Sequence, residues 1–116
     1  MGIIKKRDIH IANYITENDD DSGNTIKVYD KPFSLKCTLN TLSGDTEFQM
    51  FGDRIQNMVK TILDYNWMKK IHEKDAAYLY GATPKGEVIH GENANYRVVS
   101  VRPQNLKIIV YFEKLP

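Results

Sequence analysis

Hydrophobic residues recur at every second position along much of this chain, the spacing of strands with one buried face. From Arg7 to Ile15 the alternation is partial, with Ile9, Ile11 and Asn13 on one side and Asp8, His10 and Ala12 on the other. Glu17 to Asn24 is polar and rich in turn formers, so it reads as a loop. Ile26, Val28 and Tyr29 resume β character. After Lys31-Pro32 the run Phe33, Leu35, Cys37, Leu39 is the clearest strand in the sequence. Ser43-Gly44-Asp45 interrupts it, and Ser43 or Asp45 is suited to cap a short helix.

Two readings fit the next stretch. Phe48, Phe51, Ile55, Met58, Val59 and Ile62 recur at three and four residues, as in one long amphipathic helix. Gly52-Asp53 instead allows a short helix over Thr46 to Phe51, then a strand with Val59, Thr61, Leu63 and Tyr65 on one face. The local pattern leaves both open. Farther on, Asp75 to Tyr80 is a short strand and Thr83-Pro84-Lys85-Gly86 a turn. Tyr96, Val98 and Ser100 then alternate with Arg97, Val99 and Val101. Arg102-Pro103-Gln104-Asn105 turns the chain, and Leu106, Ile108, Val110 and Phe112 return as the second arm of an antiparallel hairpin. The expected architecture is mainly β: a small antiparallel barrel or sandwich carrying one short α-helix, with a C-terminal hairpin, all in one domain over residues 1–116.

Composition agrees with this picture and removes several alternatives. At 116 residues the chain buries roughly 65% of its unfolded surface, enough for a modest core without staples. A net charge of +1 argues against a strongly basic nucleic-acid binder. The single cysteine, Cys37, sits between Leu35 and Leu39 and reads as a buried thiol. No apolar run has the length of a membrane span, and the basic N-terminus is not followed by an apolar signal region. Synthesis and assembly in a cytoplasm are therefore expected.

Candidate chemistry is sparse. Asn18, Asp20, Ser22 and Gly23 match the early positions of a calcium loop, but Tyr29 stands where a bidentate Glu is required. His10, His72 and His90 share no zinc spacing. Ser43-Gly44 lacks the flanking glycine of a nucleophile elbow, and no nucleophile–base pair is visible. Lys69, Lys70, His72 and Lys74 lie beside Trp67, yet Asp64, Glu73 and Asp75 interleave with them, as on a mixed solvated face. The expectation is a protein that is not an enzyme and carries no metal and no cofactor.

Read end to end, several short motifs resemble the head-closure, or stopper, proteins of long-tailed phages. They are the Arg7-Asp8-Ile9-His10-Ile11 strand before the Asp21-Ser22-Gly23 loop, Ser43-Gly44 with Glu47-Phe48, and the closing Asn95-Tyr96-Arg97-Val98 and Tyr111-Phe112-Glu113-Lys114-Leu115 hairpin. The resemblance implies a small β-barrel crossed by a helix, and a short helix followed by a strand in the ambiguous stretch. It also implies a virion neck protein, assembled in the host cytoplasm as a homo-oligomeric ring, a dodecamer following the portal's symmetry. Its partners would be the portal adaptor, a tail terminator or tail protein, and packaged DNA held without sequence specificity; no membrane is implied. By analogy, the segment from Thr41 to Asn57 would face the channel, with Asp45, Glu47, Phe48, Met50, Phe51 and Asp53 as candidate stopper residues. Phe48, Met50 and Phe51 would either pack between neighbours or simply cover the barrel end, while the acids would repel DNA. Asp19, Asp20, Asp21, Pro84 and Lys85 are candidates for docking neighbouring subunits. Two other readings remain open: a tail terminator or tail-completion ring protein, which a helix from Asp45 to Asp64 would favour, and a monomeric β-barrel module for peptide or single-stranded nucleic acid.

Overall fold

The computed structural model describes residues 6–19, 23, 25–84 and 93–116. The strands are β1 Arg7–Ala12, β2 Tyr14–Asp19, β3 Thr25–Tyr29, β4 Phe33–Cys37, β5 Asn40–Thr41, β6 Met58–Asp64, β7 Ala76–Tyr78, β8 Tyr96–Gln104 and β9 Lys107–Lys114. Helix α1, Asp45–Phe51, and a 3-10 turn, Gly52–Asn57, join β5 to β6; a second 3-10 turn, Tyr65–Lys69, follows β6. Seven strands make one antiparallel sheet in the order β4-β1-β7-β8-β9-β6-β5, while β2 and β3 pair apart as a hairpin. The sheet curls into a half-barrel. The mainly β architecture with one short helix is the one its hydrophobic spacing predicts.

Register explains the core. β6 and β9 set Val59 against Phe112, Thr61 against Val110 and Leu63 against Ile108, all buried on the concave side. Ile9, Ile11, Leu35 and Cys37 come to the same core from β1 and β4. Burial raises the Cys37 thiol pKa, and the neighbouring Thr61 hydroxyl pulls weakly the other way. Trp67 closes one end, its ring stacked 5.9 Å from that of Phe33 on β4. On the convex side, Met50, Phe51 and Ile55 pack over Leu42, Met58 and Tyr111.

The ambiguous stretch breaks at Gly52, whose φ of 60° and ψ of −141° suit glycine alone. Strand follows helix there, but Tyr65 does not continue the inner row: β6 ends at Asp64, and Tyr65 is half exposed in the next turn. Three other expectations need correction. Glu17 to Asp19 belongs to β2, because cross-strand partners in β3, such as Lys27 opposite Glu17, extend the ladder into a polar segment. The terminal turn is tighter than expected. Gln104 pairs with Lys107 around Asn105-Leu106, so Arg102 to Gln104 lie in β8 and Leu106 stands 84% exposed at the tip. Pro103 lies opposite Ile108 of β9 and is tolerated because the other edge of β8, paired with β7 only as far as Arg97, has no strand beside it there to need the missing N–H. Finally, a bulge at Val99 moves Ser100 to the convex side opposite Tyr111 and returns Val101 to the concave side opposite Val110.

Candidate functional site

Helix α1 brings the proposed stopper residues together, but not as a free loop. Its N-cap is Gly44, at φ 107°, with no side-chain cap from Ser43 or Asp45. Glu47, at the third helical position, reaches back past the cap: its carboxylate accepts the Ser43 N–H at 3.0 Å and the Lys60 ammonium at 2.9 Å. Glu47 is therefore buried and its charge is met within the subunit, not presented outward. Phe51 lies against Tyr111 with ring centroids 5.0 Å apart, and Met50 joins the same cluster. These two side chains cover the sheet. Asp45 and Asp53 are exposed, and Phe48 is 52% exposed on the outer side of the helix.

The helix–turn segment is clamped at its far end by Glu113 of β9. Arg54 donates to Glu113 through two nitrogens at 2.8 and 2.9 Å, and Arg97 of β8 adds a third bond at 3.1 Å. Bonding from Arg54 above all, and then from Arg97, holds the Glu113 carboxyl at a pKa of about 2 against the opposing effect of burial. A two-pronged guanidinium–carboxylate pair fixes orientation as well as charge. The turn that follows the helix carrying Phe48 is thus tied to β9.

The docking candidates separate. Asp19 ends β2, at the far end of the hairpin, and Pro84 is half-buried after the bend at Gly81. Asp20, Asp21 and Lys85 lie outside the described residues, as does His90. His10 is on β1 and His72 in the turn before β7; no group of three metal-ligating side chains gathers among the described residues. No helix among them is long and apolar enough to cross a membrane.

Two features carried no sequence signal. Asp75 is almost wholly buried, and its carboxylate accepts the Asn13 side-chain amide at 2.6 Å, the Tyr14 N–H at 2.9 Å and the His72 N–H at 2.8 Å. Asn13 also donates to the Lys70 carbonyl at 2.8 Å. This knot is where the chain leaves β1 and starts the separate hairpin. Beside it, between the hairpin's base and β7–β8, lies a recess of about 300 Å³ whose walls carry Tyr14, Tyr29 and Tyr96, the cations Lys27, Lys74 and Arg97, and the carboxylate of Glu17. Burial raises the pKa of all three phenols, and the nearby Glu17 carboxylate pushes those of Tyr14 and Tyr29 the same way.

No family model matches this chain, and no curated protein matches it. Its fold is similar to that of protein SF1141 from Shigella flexneri 2a, a structural-genomics target solved in solution, with a TM-score of 0.56 over 98% of this chain and 96% of that one. At 16% sequence identity the likeness is one of fold.

Proposed function

We propose that this chain is a structural subunit of a phage neck, forming a homo-oligomeric ring, a dodecamer, that closes the portal channel over packaged DNA and presents a surface to the tail. The observation that carries the reading is the unclosed sheet. One rim is β4, five residues long; the other is β5, only two residues long, beside an open stretch of β6. A head-to-tail ring needs two unlike patches on each subunit, and two unlike rims of one sheet supply them. Open rims also call for cover in any β protein, and a neighbouring subunit is such cover.

Phe48 is the stopper candidate best placed to meet a neighbour, with Asp45 and Asp53 exposed on the same helix–turn segment. Met50, Phe51 and Glu47 support it from below. The ring would sit between the portal adaptor and a tail terminator or tail protein, in the virion neck, after assembly in the host cytoplasm. The tail-terminator reading drew on a helix running from Asp45 to Asp64, and α1 stops at Phe51.

The test is a phage genome with this gene disrupted. Heads that package DNA and then leak it, accumulating beside unattached tails in electron micrographs, are the expected phenotype. Normal tailed particles would refute the reading. Because Thr46 to Phe51 covers the sheet, deleting it would damage the fold; Phe48→Glu is the cleaner lesion, expected to leave the subunit folded and its complementation lost.

A further inference from the structure

We infer that the recess between the start of β4 and the turn after β6 binds single-stranded nucleic acid, with phosphates at Lys69 and Lys70 and a base against Trp67 and Phe33. The recess holds about 500 Å³ and is lined by Asn13, Phe33, Ser34, Trp67, Lys69 and Lys70, with no carboxylate among these residues. In sequence the lysines alternate with acids, but in the fold those acids are engaged elsewhere. Asp64 accepts the Lys107 ammonium at 2.8 Å, and Asp75 is buried beneath its three donors. Glu73 lines a separate recess with Arg54 and Arg97. Asp30, at the base of the hairpin, accepts the Lys31 N–H at 2.7 Å. Among the described residues, no ion pair joins Lys69 or Lys70 to a carboxylate. The exposed acids Asp45 and Asp53 precede β6, whereas this turn follows it.

The backbone beneath the two lysines is held in place. The Trp67 carbonyl accepts the N–H groups of Lys70 at 3.0 Å and Ile71 at 3.2 Å, and the Lys70 carbonyl accepts the Asn13 amide at 2.8 Å. The Trp67 ring stacks on Phe33 with planes 16° apart, and the Lys70 ammonium lies 5.2 Å from its centre. Both rings are only half-buried. Ammonium groups beside exposed aromatic surface suit a single strand: the cations meet phosphates, and the rings meet a base of any kind. An acidic peptide would use the lysines and leave the rings idle, and a duplex keeps its bases stacked inside. The net charge of +1 gives no broad attraction, so the contact is local and modest in affinity. It goes beyond the neck reading, which does not depend on it.

Trp67 is the chain's single tryptophan, so its fluorescence reports on the recess directly. The test is a titration of the full chain with an oligothymidylate of about ten nucleotides. Trp67 emission should be quenched, and the logarithm of affinity should fall with that of salt at a slope of about −1.4, for two phosphates on a single strand. Lys69→Gln with Lys70→Gln should bind about tenfold or more weakly at about 0.1 M salt, with the slope near zero. Both lysines are exposed, so this variant keeps its fold. Lys114→Gln, at the other end of β9 from Asp64 and Lys107, should change neither quantity. No quenching, unchanged binding by the double variant, or equal affinity for a duplex or for polyglutamate would overturn the assignment.

Discussion

Single carboxylates fix this molecule at two points, each differently. Asp75 gathers three donors from segments far apart in sequence. Removing a buried acceptor leaves each donor unsatisfied, at about 1–3 kcal/mol apiece. Asp75→Ala should therefore lower the urea-unfolding free energy by roughly 3 kcal/mol or more. A loss under 1 kcal/mol would mean the donors find other partners. Glu113 is the pH-sensitive member. Its folded pKa of about 2 lies below the ordinary Glu value of 4.5, so its stabilising share is complete above pH 4.5 and fades as pH falls toward 2. Glu113→Gln should flatten the acid limb of the stability–pH curve over that window; an unchanged limb would assign acid sensitivity to other carboxylates. Neither role shows in the sequence, since both depend on partners that only the fold supplies.

Elements were legible in proportion to how local their causes are. The alternating rows Phe33 to Cys37 and Ile108 to Phe112 announce strands because each position's face follows from the one before. Gly52 marks the end of α1 through a backbone angle pair reserved for glycine. The Val99 bulge is invisible in advance: one extra residue exchanges the faces of everything beyond it, and only the register with β9 shows where it sits. The polar end of β2 was hidden because its strand character comes from pairing with β3 and not from its own composition. Within α1 the two phenylalanines separate cleanly. Phe51→Ala should destabilise the fold by about 2–4 kcal/mol, because it empties a packed contact with Tyr111. Phe48→Ala should stay within about 0.5 kcal/mol of the parent by thermal or urea unfolding, being largely exposed. Equal losses for both would show that Phe48 supports the fold after all.

At the scale of the molecule, the unclosed half-barrel and the detached hairpin give a body 53 × 28 × 25 Å across, nearly twice as long as it is wide. Exposed apolar side chains are spread over it: Ile15 on the hairpin, Phe48 on the helix, Ile62 and Tyr65 at the end of β6, and Leu106 at the β8–β9 tip. Single exposed apolar residues are ordinary, but these fall on separate elements of an elongated subunit. The class of fold was readable from spacing alone. The candidate site was readable only in outline, because which of Glu47, Phe48 and Phe51 faces outward depends on how α1 seats on the convex side.

The Asn13–Asp75 knot has a consequence for how the chain reaches its shape. The acceptor that turns the N-terminal hairpin out of the main sheet lies 62 residues beyond the donor it holds. During synthesis the hairpin is thus complete as a chain long before anything can aim it. Pairing within the arm is local, while the contact that sets its direction waits for the residues before β7.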